Sequence, residues 1–323
     1  MALVQTTAFL GNLVKGIDAK FLEVFDENVD AYKSSLDTLF RQRKSVQKRE
    51  HTRLKAGTGL LVKKDEGGPY TYDNQKPSFE TNYYHNTYGK GVMVTLEEIE
   101  DKDYQDKLDE FTDLARSARQ TMDMSMAQVL NGGFTTNRVV NGIEISRLND
   151  NVPLFSTVHP LYGQSSTQSN ASATSIPLSD TNLETARIAL TQQTTDDNQP
   201  LTLSSRLVLV VPPALRKLAT QLAKSEQTPQ DANNAVNVYK GEIDVMEVTW
   251  ISAMFGGSDT AWFLMAPEQA KLMFITRVAP SMGIDVDSET DDRKYKVRAR
   301  WSVGYSDWRR TWASKGDGSA YAS

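Results

Sequence analysis

One stretch dominates the hydrophobic pattern of the chain. Between residues 103 and 130, Tyr104, Leu108, Phe111, Ala115, Ala118, Met122, Met126 and Val129 recur at alternating steps of three and four. Such steps line one face of a helix, and Leu114 and Leu130 widen the stripe. Asp101, Asp103, Asp106, Asp109 and Glu110 crowd the first turns, where negative charge suits the helix dipole. No Gly or Pro interrupts the run, and Asn131-Gly132-Gly133 supplies a left-handed exit. The pattern predicts one unbroken rod, about 40 Å long at 1.5 Å per residue. It reads either as an enzyme's core helix or as a strut holding two regions apart.

The flanking patterns are weaker. Leu13, Ile17, Phe21 and Val24 share one face, and Val29, Tyr32, Leu36 and Leu39 another, which predicts two short amphipathic segments within residues 1–45. Neither is stable alone, so they form an arm draped over a surface or a pair packed on their own domain. Residues 52–90 rise through Leu60-Leu61-Val62, turn at Asp65-Glu66-Gly67-Gly68-Pro69 and return through Tyr70, Tyr72, Tyr83, Tyr84 and Tyr88. This reads as a long hairpin too poor in aliphatic residues to bury a core. Its tyrosines pair an apolar face with a polar tip, as an interface requires.

Beyond the rod, residues 139–145 predict a hairpin around Asn141-Gly142, and the polar run 164–175 reads as a loop or linker and a domain boundary. A helix over 181–192 follows, capped by Ser179 or Asp180, then a buried strand over 206–211. Pro212-Pro213 opens a second helix with Leu215, Leu218 and Leu222 on one side, and residues 242–251 and 261–265 read as strands. Residues 273–287 and 293–312 read as long strands, the latter alternating Tyr295, Val297, Ala299, Trp301 and Val303. Interleaved helices and strands without strict repetition indicate an α+β fold.

Composition narrows the function. With 323 residues and 39% hydrophobic content the chain can build two compact units or one elongated molecule with appendages. A net charge of −5 argues against a dedicated nucleic-acid binder. Without cysteine there are no disulfides, thiolate metal sites or thiol nucleophiles. The N-terminus lacks the pattern of a signal peptide, and the longest aliphatic block, 207–211, is far too short to cross a bilayer. A soluble, intracellularly made protein without a membrane partner is expected. Charge is locally polarised: residues 41–55 carry seven cations against Glu50, and residues 95–110 carry eight acids against Lys102 and Lys107. These are solvated faces or, in a homo-oligomer, patches that steer one subunit onto the next.

Catalytic patterns are missing. His51, His85 and His159 sit in separate segments, and the metalloprotease, Walker, nucleophile-elbow and dinucleotide-binding motifs are absent. The run Asp285, Asp287, Glu289, Asp291, Asp292 has Thr290 where a calcium loop needs Gly and Lys296 where it needs Glu, so it reads as a solvated turn. His159 beside Pro160 reads as a hydrogen-bonded turn histidine. No catalytic residue, metal or cofactor is expected, and the chain reads as structural.

The order of arm, hairpin, rod, mixed domain and returning strands resembles the major capsid proteins of tailed bacteriophages, the Hong Kong 97 fold. Tyr88-Gly89-Lys90-Gly91-Val92-Met93-Val94-Thr95-Leu96-Glu97-Glu98-Ile99-Glu100-Asp101 is similar to that family's entry to its spine helix. Pro153-Leu154-Phe155-Ser156-Thr157-Val158-His159-Pro160 resembles a phrase of Mu-like head subunits. Tyr295-Lys296-Val297-Arg298-Ala299-Arg300 with Gly304-Tyr305-Ser306-Asp307-Trp308-Arg309 resembles their closing strands. The resemblance implies an N-terminal arm over 1–47, an extended loop over 48–91, a peripheral domain over 92–175 and 273–323 with a spine helix at 103–130, and an axial domain over 176–272. It further implies pentamers and hexamers closing into an icosahedral shell around double-stranded DNA, touched without sequence specificity. Separate scaffolding, portal and decoration proteins are the other expected partners, and the expected location is the virion, after synthesis in the host cytoplasm. The expected intersubunit contacts are Arg49, Arg53, Lys63, Lys64, Tyr70, Tyr72, Tyr83 and Tyr84. Some members staple a loop lysine to a late asparagine. Lys63, Lys64 and Lys76 are available, but the last asparagine is Asn237, so a non-covalent shell is expected. A nanocompartment shell of the same fold, enclosing an enzyme, is the alternative.

Overall fold

The computed structural model describes residues 2–32, 34–55, 60–70, 72, 77–101, 105–203, 206–226 and 237–321. The chain begins with helix α1 (Ala2–Ala31), strand β1 (Arg41–Lys44) and the paired strands β2 (Arg49–Lys55) and β3 (Pro77–Tyr84). Strand β4 (Asn86–Val94) leads through the single turn α2 (Leu96–Glu100) to the central helix α3 (Gln105–Asn131). The central helix therefore covers the rod, apart from Asp103 and Tyr104, which lie outside the described residues. Its entry is fixed by a capping box. Glu98 N donates to Thr95 Oγ1 at 3.3 Å while Thr95 N donates to Glu98 Oε2 at 2.9 Å.

After α3, β5 (Val139–Val140) and β6 (Ile143–Ser146) form the expected hairpin, with Asn141 at φ 47° and Gly142 at φ 79°. A two-residue ribbon, β7 (His159–Pro160) with β8 (Thr167–Gln168), precedes α4 (Asp180–Thr191), β9 (Leu207–Val211), α5 (Arg216–Lys224), β10 (Ile243–Glu247) and β11 (Trp262–Met265). The chain closes with β12 (Leu272–Val286), β13 (Arg293–Tyr305) and β14 (Thr311–Ser314). One sheet runs β1-β12-β13-β6-β5, with β4 beside the first half of β13, and a second runs β10-β9-β11-β14.

Two cores meet at β11. Phe263 and Met265 join the cluster under α3, whereas Trp262 and Leu264 join Leu183, Leu190, Leu222 and Trp312 under α4 and α5. A strand buried on both faces reads as a continuous apolar run, which is why 261–265 carries no polar alternation. Under α3, β13 alternates as its sequence indicates. Tyr295, Val297, Ala299, Trp301 and Val303 are all buried. Trp301 stacks on Tyr88 at 4.1 Å and its Nε1 donates to Ser125 Oγ at 3.2 Å. The central helix thus packs on the returning strand.

Several expectations need correction. Residues 1–45 do not divide into two short amphipathic segments. Ala2–Ala31 is one helix, and Leu36 and Leu39 are buried in and just after a separate short turn, Ser35–Thr38, capped by Ser34. Leu60, Leu61 and Val62 are in no strand. The projecting hairpin ends at Tyr84 rather than near residue 91, because β4 is claimed by β13. The polar run 164–175 is not a free linker: it contributes β8, and Asn170 is fully buried. The strand expected over 242–251 stops at Glu247 and gives way to a short helical turn, Thr249–Ile251. The strand expected over 293–312 stops at Tyr305; Arg310 then takes a left-handed φ of 66°, and β14 joins the other sheet.

Candidate assembly surfaces

Among the described residues the hairpin is anchored along its paired strands, where Ser78 and Thr81 are buried. Leu54 and Tyr83 are buried, and across the strands Arg49 lies opposite Tyr84 and Arg53 opposite Glu80. His51 Nε2 lies 2.9 Å from Glu80 Oε2 and Arg53 Nε 3.5 Å from it. The hydrogen bond with His51, with help from Arg53, holds the Glu80 carboxyl below its ordinary range. Toward the tip the described side chains are largely exposed. Tyr70 and Tyr72 are 70% and 89% exposed, and Leu60, Leu61 and Val62 are 76%, 102% and 69% exposed. Lys64 Nζ lies 4.5 Å from the Tyr70 ring. Of the eight expected contact residues, Arg49, Arg53, Lys63, Lys64, Tyr70, Tyr72 and Tyr84 are exposed. Tyr83 is not: its ring is fully buried in the chain's own body, so its side chain is out of a neighbour's reach. Lys76 lies outside the described residues.

The basic segment is joined by cations distant in sequence. Every residue of β1 is exposed, Arg43 Nη2 sits 3.6 Å from Glu50, and Arg277 Nη1 donates to Ser45 O at 3.2 Å. Burial, with help from Arg300 and Arg277, pushes the His85 imidazole down against the opposing pull of Glu50. Nothing local to residues 277 and 300 marks them as part of this patch; only the sheet register brings them there. On the acidic side Lys107 bridges Glu98 and Glu110 at 3.5 and 3.2 Å. The backbone hydrogen bond from Thr95 is the main reason that the Glu98 carboxyl is held down.

The second half of α1 lies on α3. Ile17, Phe21 and Phe25 are buried; Phe21 stacks on Phe111 at 4.1 Å and meets Tyr295 edge-on at 5.3 Å. Asp18 accepts from Tyr295 Oη at 2.7 Å and pairs with Arg293 at 2.9 Å. Where the chain leaves α1, Arg119 pairs with Asp37 at 2.8 Å, and Asp123 is 2% exposed with Oδ1 unpartnered. Burial raises the Asp123 carboxyl above its ordinary value, against the hydrogen bonds with Ser34 and Tyr32. A raised folded value favours the neutral form, so this contribution to stability is complete below the ordinary carboxylate range and is lost as pH rises through the raised value. Asp123→Asn is therefore expected to stabilise the fold in neutral buffer by about 1 kcal/mol and to flatten the acid side of the stability profile. Thermal melts in mildly acid and neutral buffer check both.

A buried polar cluster went unread in the sequence. His159 is fully buried, not in a surface turn; its Nδ1 lies 3.3 Å from Asp150 Oδ2, its Nε2 3.1 Å from Asn170 Oδ1, and its ring stacks on Trp308 at 4.2 Å. Asn170 Nδ2 donates to Leu154 O at 2.7 Å. The cluster ties residues 150–170 to the turn before β14 through Asn170, which donates to Trp308 O at 3.4 Å. At the tip of β12 and β13, Asp287 pairs with Lys294, and Asp285 pairs with Lys296 at 2.7 Å, so these acids serve the hairpin. Among the described residues no group of three or more His, Asp or Glu side chains is placed to hold a metal, and no helix is long and apolar enough to cross a membrane.

No curated protein matches the sequence. Solved structures match the fold. The capsid of Ralstonia phage GP4 is similar with a TM-score of 0.54 at 13% identity, over 87% of this chain and 88% of that one. The mature capsid of bacteriophage PhiM1 is similar with a TM-score of 0.53 at 10% identity, over 87% and 86%. A virus-like particle from Pyrococcus furiosus is similar with a TM-score of 0.51 at 12% identity, over 92% and 98%. The family described as phage capsid protein matches residues 79–314, from within β3 to the end of β14, and the chain belongs to that family: it is a phage major capsid protein of the Hong Kong 97 fold.

Proposed function

We propose that this capsid subunit assembles as pentamers and hexamers into an icosahedral shell around double-stranded DNA, made in the host cytoplasm with separate scaffolding, portal and decoration proteins. The observation that carries the reading is the hairpin tip, whose large apolar and aromatic side chains are exposed on a chain of capsid fold. In this reading the hairpin lies on an adjacent subunit through Arg49, Arg53, Lys63, Lys64, Tyr70, Tyr72 and Tyr84. The part built on α3 and the long strands is peripheral, and the part built on α4, α5 and β9 is axial. Heterologous contacts that close by rotation make rings, and a small change in angle lets one surface serve two ring sizes. The shell is held without covalent staples, since Asn237, the last asparagine, is buried with its amide donating to Leu222 O at 2.7 Å and Ser225 O at 3.0 Å.

Negative-stain microscopy of purified protein should show closed particles, and a denaturing gel should show single subunits. Monomers in the micrograph would overturn the assembly reading, and a ladder of linked subunits would overturn the non-covalent one. Reversing Lys44, Lys48 and Arg49 to Glu should slow assembly and weaken its salt dependence, if the basic face meets the acidic start of a neighbour's α3. Unchanged assembly with unchanged salt response would reject that pairing. A second reading, a nanocompartment shell, is favoured by the fit to 98% of the Pyrococcus furiosus particle chain. Protein cargo in place of nucleic acid in the particles would select it.

A further inference from the structure

His85 occupies the joint between β3 and β4 and is buried. Its ring bridges two hydroxyls: Nε2 lies 3.2 Å from Ser45 Oγ, just past β1, and Nδ1 lies 3.1 Å from Ser302 Oγ on β13. The neighbouring bonds fix which nitrogen carries the hydrogen. Ser45 Oγ donates its one hydrogen to Glu50 Oε1 at 2.6 Å and accepts from Gln47 N at 3.1 Å. Toward the imidazole it can therefore only accept, so Nε2 is the donor and Nδ1 is left to accept from Ser302. The neutral ring thus satisfies both hydroxyls and both of its own nitrogens. Ser45, Glu50 and Ser302 are themselves buried, so water has little part in the chain of bonds.

A second proton on the ring breaks that chain. Nδ1 becomes a donor facing the hydroxyl that donated to it, and the new positive charge sits among cations. Arg277 Nη1 donates to Ser45 O at 3.2 Å and Arg300 Nη2 to His85 O at 3.5 Å. The opposing group is Glu50, which Arg43 already approaches at 3.6 Å. We propose that His85 is a proton-operated clamp: neutral, it holds the end of β1, the start of β2 and the β3–β4 joint against β13; protonated, it lets residues 45–50 and the joint open. Burial, with Arg300 and Arg277 acting against Glu50, holds the imidazole below its ordinary value of 6.5. With the folded value depressed, the clamp is at full strength above the ordinary imidazole range and weakens as pH falls through it toward the lowered value. The opening is local. Thr81 Oγ1 donates to Tyr305 O at 3.2 Å and Asn149 N to Glu80 O at 3.0 Å, so β3 keeps its own seat on the body. The segment that loosens carries Lys48 and Arg49 of the basic face, so acid frees part of that face from the sheet. The clamp is a property of the single subunit and does not rest on the assembly reading.

Hydrogen exchange of the full chain, corrected for the intrinsic effect of pH on exchange, tests the clamp. Between about pH 7.5 and about pH 5, which spans the imidazole range, protection over residues 45–50 and 84–86 should fall roughly fivefold or more. Residues 79–83 and strand β9 should keep theirs. His85→Gln, whose side chain takes no proton, should lose the response, and His51→Gln, on the exposed side of β2, should retain it. Equal loss in wild type and His85→Gln, or unchanged protection in wild type, would overturn the clamp. Ser302→Ala keeps the question open to test if His85→Gln fails to fold. It removes the bond that only the neutral ring accepts, so the pH response should shrink; a response as large as that of wild type would reject the proposal.

Discussion

Arg309→Ala is expected to destabilise the subunit by about 3–5 kcal/mol, the cost of leaving buried charge without its partner. Arg309 is 5% exposed, and its Nη2 sits 2.5 Å from Asp196 Oδ1 and its Nη1 3.2 Å from Asp307 Oδ1. Nε donates to Thr194 O at 2.8 Å, and the guanidinium lies 4.9 Å from the Trp308 ring. Asp196 and Asp307 are 3% and 6% exposed, so water cannot replace what alanine removes. Lys271 still reaches Asp307 at 3.2 Å, which leaves Asp196 as the stranded group. Two further variants separate charge from geometry. Arg309→Lys keeps the charge but loses the planar fork, and should fall between wild type and alanine. Pairing Arg309→Met with Asp196→Leu removes both charges and should recover much of the loss. Urea melts of subunits at one fixed concentration decide the order. A double variant no better than alanine would mean that packing on Trp308, not charge, is what Arg309 supplies.

This cluster shows where sequence reading stopped. Periodicity located α3, the β13 alternation and the Asn141-Gly142 hairpin because each is a local pattern, set by which face must be buried. Asp150, His159, Asn170, Asp196 and Arg309 have no local pattern. They lie on loops and strand ends, and each looks like an ordinary surface residue until β14 is placed beside the 150–170 segment. The same reason hid Arg277 and Arg300 from the basic patch. Leu60-Leu61-Val62 failed in the opposite direction. The residue types favour a strand, but strand propensity is largely packing against a partner, and among the described residues no strand pairs with them. Tyr83 and Tyr84 show the limit of residue type alone. They are adjacent and chemically identical, yet strand alternation sends Tyr83 wholly inward and leaves Tyr84 45% exposed.

Sequence left open whether the N-terminal segment is an arm or part of its own domain, and Phe21→Ala decides between them. The ring is fully buried between Phe111 and Tyr295, so its removal should cost about 3–5 kcal/mol. Among the described side chains of α1, Ile17, Phe21 and Phe25 are buried, each contributing about 1.5–3 kcal/mol, and Val24 and Val29 pack beside them, so one ring is a fraction of the apolar docking. The central helix keeps an independent hold on the sheet through Trp301 and Ser125. An arm can therefore leave without melting the body, and the loss should appear as local opening. In Phe21→Ala, protease should cut within α1 at least tenfold faster while the main thermal transition moves little. Phe111→Ala, which removes a ring from α3 itself, should lower both. If Phe21→Ala instead lowers the main transition as far as Phe111→Ala and leaves α1 protected until the body melts, the helix belongs to the subunit's own core, and no part of it beyond Ile17 is free to lie on a neighbour.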